Sequence, residues 1–131
     1  MKIIIADDSA TARMVIKRCL EIAGCWDAEF LEAENGAQAL ELALAQNPDL
    51  LVTDLTMPEM DGTSLLAAVS SDDSIAHIPV LVITSANNPA KEAELKAKGA
   101  FAVLEKPVQP AALADLLAPL LGSQSGGSTG W

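Results

Sequence analysis

The sequence predicts an α/β fold built on a doubly wound parallel sheet, and two observations carry that reading. Short apolar runs alternate with stretches of helical period five times along the chain. Three of those runs, 2–6, 50–53 and 80–84, are continuously apolar, as strands covered by helices on both faces must be. A length of 131 residues, half of them hydrophobic, suits one domain with one core.

Each element follows from local pattern. The first strand, Lys2–Ala6, carries three isoleucines and runs directly into Asp7 and Asp8. In the helix after it, Ala12, Val15, Ile16, Cys19, Leu20 and Ala23 fall at i, i+3, i+4, i+7, i+8 and i+11, which makes one core-facing stripe. Ser9 or Asp8 caps its start, and Gly24 supplies a left-handed stop. The second strand, 28–33, is more mixed, as an edge strand can be. A helix over 36–46 follows, with Asn35 as cap, Leu40 and Leu44 on one face and Pro48 beyond its end. The third strand, 50–53, delivers Asp54, and the next helix starts at 61–63 and loses its pattern in the polar stretch 70–74. Strand 80–84 precedes a helix over 89–98 that opens on Pro89 and stops at Gly99. A short strand, 102–104, and a helix over 110–121 complete the series. Residues 122–131, GSQSGGSTGW, have no core pattern and read as a flexible tail or a linker toward a further domain.

Composition restricts the function. A formal net charge of −10 disfavours binding to phosphate backbones or anionic lipid and favours a protein partner or a cation. No apolar run approaches the roughly 20 residues of a membrane helix, so the expectation is a soluble cytoplasmic protein without direct nucleic-acid or membrane contact. Cys19 and Cys25 lack metal-ligand spacing and read as small buried hydrophobes in a reducing compartment. The lone His77 reads as a turn or surface residue.

Ligands of open parallel sheets gather where strands end and helices begin. The polar residues at those ends are Asp7 and Asp8 after the first strand, Asp54 after the third, Thr84 and Ser85 after the fourth and Lys106 after the fifth. Any one of them could be a helix cap or a turn residue. Together they place three carboxylates in one crevice, where mutual repulsion calls for a compensating cation. Oxygen donors without nearby His or Cys select a hard ion, and few carboxylates with room for water suit Mg²⁺. A carboxylate beside Mg²⁺, an ammonium and a hydroxyl can accept a phosphoryl group. Asp54, alone at the end of a buried run, is the nucleophile; Asp7 and Asp8 hold the metal, and Lys106 and Thr84 each take a phosphoryl oxygen.

The segments ADDS, DDSATARMVIKRCLE, ENGAQAL, VTDLTMPEMDG, PVLVITS, KGA and EKP, in this order, resemble the response-regulator receiver domains of two-component signalling. DDSATARMVIKRCLE is similar to the stand-alone, chemotaxis-type (CheY-like) branch. The match runs from Lys2 to about Leu121, making 1–121 the receiver domain. The resemblance implies a flavodoxin-like sheet in the order 2-1-3-4-5 and a cis bond between Lys106 and Pro107. It implies phosphorylation of Asp54, Mg²⁺ on Asp7, Asp8 and Asp54 with the backbone carbonyl of Thr56, a switch hydroxyl at Thr84 and a phosphoryl contact at Lys106. Met57 and Pro58 would shape the loop after the acceptor, and Gly62 fits its turn. On this reading the chain is a phosphoacceptor that labels itself, not a turnover enzyme, and takes its phosphoryl group from a histidine kinase or phosphotransfer protein. Its switched surface then engages a downstream target protein, as a monomer or weak homodimer.

Two positions depart from the family pattern. The family's inward-rotating aromatic, three residues before the lysine, is replaced by Val103, and Phe101 is the candidate substitute two residues earlier on the same strand face. Of the positions that tune acyl-phosphate lifetime, Thr56 and Ala86, the alanine offers no group to orient water. Lys91, Glu92, Glu94, Lys96 and Lys98 give the fourth helix a mixed-charge face on what the family uses as output surface. Arg13, Met14 and Lys17 on the first helix resemble the kinase-docking side. The competing readings are a haloacid-dehalogenase-type Mg²⁺ phosphatase, which needs a DxD nucleophile after the first strand, and an unphosphorylated receiver scaffold.

Overall fold

The computed structural model of the chain describes residues 1–85 and 88–125. Five strands and five helices alternate: β1 Lys2–Ala6, α1 Ala10–Leu20, β2 Glu29–Ala33, α2 Gly36–Gln46, β3 Leu50–Asp54, α3 Gly62–Ser71, β4 Val80–Thr84, α4 Pro89–Ala97, β5 Ala102–Glu105 and α5 Pro110–Ser125. All strand pairs are parallel and the order is β2-β1-β3-β4-β5. The chain therefore steps from β1 to β2 on one side and returns to β3 on the other, which opens a crevice at the carboxyl ends of β1 and β3.

Strand period two explains the double winding. Ile3 and Ile5, with Leu50, Val52, Leu81 and Ile83, pack against Ile16, Cys19 and Leu20 of α1 and Leu113 and Leu117 of α5. Ile4 and Ala6, with Leu51, Val80 and Val82, pack against Ala39 and Ala43 of α2, Leu65, Leu66 and Val69 of α3 and Leu95 of α4. Both layers are covered, which is why the three central strands read as unbroken apolar runs. β2, at the edge, is buried only in part.

Caps fall where side-chain chemistry dictates. Ser9, Asn35, Asp61 and Asn88 accept hydrogen bonds from the backbone N–H groups of Ala12, Gln38, Ser64 and Lys91. α1 passes into a π-helical turn, Glu21–Cys25, in which Gly24 takes φ 126°, so the stop expected there is a widened turn and not a clean end. Gly99 closes α4 at φ 112°.

Three expectations are corrected. Leu44 is 50% exposed, and the buried stripe of α2 is Gly36, Ala39 and Ala43, because small residues let α2 lie close to the sheet. Val15 is also half exposed, so the core stripe of α1 narrows to Ile16, Cys19 and Leu20. α5 continues four residues past Leu121, since backbone bonding propagates once nucleated; residues 126–131 of the predicted tail lie outside the described residues. No helix among the described residues is long and apolar enough to cross a membrane. Cys19 and Cys25 are buried free thiols, and His77 is exposed in the turn before β4.

The two leucines separate these packing roles. Leu51→Ala, at a fully buried position, should cost about 2–5 kcal/mol in urea unfolding. Leu44→Ala should cost under about 0.5 kcal/mol.

Candidate phosphoacceptor site

The buried polar and charged residues among those described are Asp7, Thr53, Asp54 and Thr84, and all four stand at the carboxyl ends of β1, β3 and β4. Register explains the meeting. Ala6 pairs with Thr53, so Asp7 and Asp54, each one residue farther, come side by side across the crevice. Thr84 pairs with Glu105, which brings Lys106 to the next position; its N–H donates to the Thr84 carbonyl at 2.8 Å.

Asp7 is 1% exposed and Asp54 9%, whereas Asp8 is exposed at the rim. One carboxylate oxygen from each of the three lies within 4.8 Å of the others. Asp7 Oδ1 accepts from the Ser9 N–H at 2.9 Å, and Asp54 Oδ1 accepts from the Leu55 N–H at 3.0 Å. Lys106 Nζ lies 3.2 Å from Asp7 Oδ2 and 3.5 Å from Asp54 Oδ1, a single ammonium between two carboxylates. Burial, then the charge of Asp7, push the Asp54 carboxyl above its usual range; Lys106 and the Leu55 N–H only partly offset this. Burial works against the charge on Lys106, but Asp7 and Asp54 outweigh it and hold its pKa above the ordinary lysine value. The donor set is all oxygen, with two carboxylates withdrawn from water, and it fits a hard divalent cation such as Mg²⁺.

The loop after β3 is fixed from below. The buried Thr53 hydroxyl donates to the Asp54 carbonyl at 2.9 Å and lies 3.9 Å from Met57 Sδ. Thr56 is exposed, two residues past Asp54. Gly62 N–H donates to the Leu55 carbonyl at 2.8 Å, and a Cβ at Gly62 would stand 2.4 Å from the Asp54 carbonyl oxygen. Only glycine permits that approach. The Lys106–Pro107 bond is cis, as expected.

The sequence matches the response regulator receiver domain over residues 3–118. The chain belongs to that family. Chemotaxis protein CheY1 of Helicobacter pylori is 38% identical over 125 residues, covering 94% of this chain and 98% of that protein. The CheY homolog of Campylobacter jejuni is 35% identical and covers 96% of each. In the chemotaxis response regulator CheY4 of Vibrio cholerae the fold recurs with a TM-score of 0.76 and 32% identity, over 92% of this chain and 95% of that one. The chain is thus a receiver domain of the CheY type, a class whose role is to accept a phosphoryl group.

The structure brings together Asp7, Asp8, Asp54, Thr84 and Lys106 and leaves the two switch candidates apart. Val103 is buried beneath α4, paired with Val82. Phe101 is 36% exposed ahead of β5, its N–H bonded to the Val80 carbonyl. That is four strand positions, roughly 13 Å, from the level of Thr84. Ala86 lies outside the described residues. Sequence reasoning missed Thr53, whose apolar neighbours hide a polar role, and it placed Arg13 on a docking surface. The Arg13 side chain is 12% exposed and turned inward, while Met14 stays exposed and Lys17 Nζ sits 5.5 Å from the Phe30 ring centroid.

A raised Asp54 pKa has a definite sign. The native state holds that proton more tightly than the unfolded chain, so stability from this group is present below pH 3.8 and lost as pH rises through the raised native value. In metal-free buffer Asp54→Asn should therefore be more stable than wild type at pH 7, and the difference should shrink as pH falls toward 3.8 in thermal unfolding.

Proposed function

We propose that Asp54 accepts a phosphoryl group from the phosphohistidine of a histidine kinase or phosphotransfer protein, with Mg²⁺ required. The supporting observation is Asp54 itself, an almost buried carboxylate facing Asp7, Asp8 and Lys106 at the switch point of the sheet. A carboxylate oxygen of Asp54 forms the bond to phosphorus while the bond from phosphorus to the donor nitrogen breaks, and the electron pair stays on that nitrogen. Asp7, Asp8 and Asp54, with the Thr56 carbonyl, would hold the ion. When bound, Mg²⁺ neutralises charge on the phosphoryl oxygens.

The chain's own residues do the positioning. Lys106, already beside Asp54, moves its ammonium from the carboxylate to a phosphoryl oxygen. Thr84, held by the main-chain bond between its carbonyl and Lys106 N–H, turns its hydroxyl to another and carries the change into β4 and β5. Val103 is too confined to rotate, and Phe101 too distant to fill space vacated by Thr84, so the switch runs through Thr84 and the loops flanking it.

The donor's docking side is the amino-terminal half of α1. A groove of about 360 Å³ beside the site is lined by Ala12, Val15, Ile16, Lys106, Pro107 and Val108, and its walls are mainly apolar. It takes an apolar side chain of the donor next to Lys106. The mixed-charge surface of α4, where Lys96 pairs with Glu92 and Lys98 with Glu94, faces the downstream target protein. The protein acts in the cytoplasm as a self-phosphorylating switch, not a turnover phosphatase: its acceptor follows β3, and the DxD spacing of the phosphatase class is missing after β1.

A small phosphodonor with Mg²⁺ should add one hydroxylamine-labile phosphoryl group to wild type and none to Asp54→Ala, read by intact mass. Chelation should abolish the gain. Label persisting on Asp54→Ala would move the nucleophile, and no label on wild type would refute the reading.

A further inference from the structure

Asp7 is tied on every side. Its N–H donates to the Ala33 carbonyl at 3.0 Å, Oδ1 accepts from the Ser9 N–H, and Oδ2 faces Lys106. Its carbonyl lies past the last register pair of β1 and β2, Ala6 with Ala33, because β2 ends there and the chain turns into α2. A buried carbonyl without a donor is costly. Here the donor is a side chain: Arg13 Nη1 reaches the Asp7 carbonyl at 2.6 Å. The same guanidinium donates through Nε to Glu32 Oε1 on β2 at 2.7 Å. One planar fork thus joins α1, the end of β1 and the edge strand.

We propose that Arg13 and Glu32 are positioning residues for Asp7, a clamp that replaces the missing strand donor and sets the affinity of the acidic cluster for a divalent cation. The inference rests on the Mg²⁺ reading above. The alternative is a clamp that merely adds stability, and the sign of the effect on binding separates the two. Arg13 is a cation close to the acidic cluster, so Coulomb's law alone makes its removal tighten Mg²⁺ binding. Loss of positioning weakens binding, because Asp7 then samples orientations that do not converge with Asp8 and Asp54. Lysine keeps the charge but is a point donor that cannot span both partners.

The test is Mg²⁺ titration by calorimetry of full-length wild type, Arg13→Gln, Arg13→Lys, Glu32→Gln and a neighbouring-charge control, Glu34→Gln, with circular dichroism to verify folding. Arg13→Gln and Arg13→Lys should each raise the Mg²⁺ Kd about tenfold, the worth of one hydrogen bond to a charged group. Glu32→Gln should raise it about two- to threefold, since that carboxylate is half exposed, and Glu34→Gln should leave it within about 1.5-fold. Folded Arg13 variants that bind Mg²⁺ as tightly as wild type, or more tightly, would overturn the proposal. Should Arg13→Gln not fold, Arg13→Lys and Glu32→Gln decide by the same criterion. Absence of saturable Mg²⁺ binding in wild type would instead overturn the metal reading and the clamp with it.

Discussion

Three carboxylates converge on one crevice, and their repulsion is the constraint around which the rest of the molecule is arranged. At an effective dielectric near 20, two unit charges within 4.8 Å of each other cost at least about 3.5 kcal/mol. That is a large share of the roughly 5–15 kcal/mol by which domains are stable. Hydrogen bonds from Ser9 and Leu55 spread part of the charge into the backbone. Lys106 bridges Asp7 and Asp54 and is the internal counter-charge. The sheet makes this possible, since the three central strands end at one edge and the buried polar residues stand at those ends.

The same arrangement makes the site responsive. Lys106 answers both carboxylates, so on the proposed reading a divalent cation or a phosphoryl group on Asp54 would change what it must neutralise. Its main-chain N–H is bonded to the Thr84 carbonyl, so a shift of Lys106 reaches β4 directly. Stability is sacrificed locally at Asp54, where burial opposes charge, and recovered in the two apolar layers beneath. Gly62 and Thr53 serve the same end by fixing the backbone that carries Asp54.

Most of this was legible in the sequence, for physical reasons. β1, β3 and β4 are buried on both faces, so their apolar runs were unmistakable, and the first residues to break those runs were the site. Caps at Asn35 and Ser9 were legible because the chemistry is local. What failed was selection among residues of equal hydrophobicity. Leu44 and Val15 fit the periodic stripe, yet the close approach of α2 to the sheet favours alanine and the α1 groove exposes Val15. Long-range side-chain bonds were illegible as well: nothing in the spacing of Arg13 and Glu32 tells that one guanidinium serves both Glu32 and the Asp7 carbonyl.

The most direct test concerns Lys106 as counter-charge. The thermal midpoint of Lys106→Met should be measured against wild type in chelator and again over a Mg²⁺ titration. The account predicts a variant less stable by about 1–2 kcal/mol without metal, smaller than the cost of unpairing a fully buried charge because Lys106 is partly exposed. It also predicts a larger gain from Mg²⁺ in the variant than in wild type, the added cation taking over the lost ammonium's role. Equal midpoints in chelator, or equal gains from Mg²⁺, would contradict it.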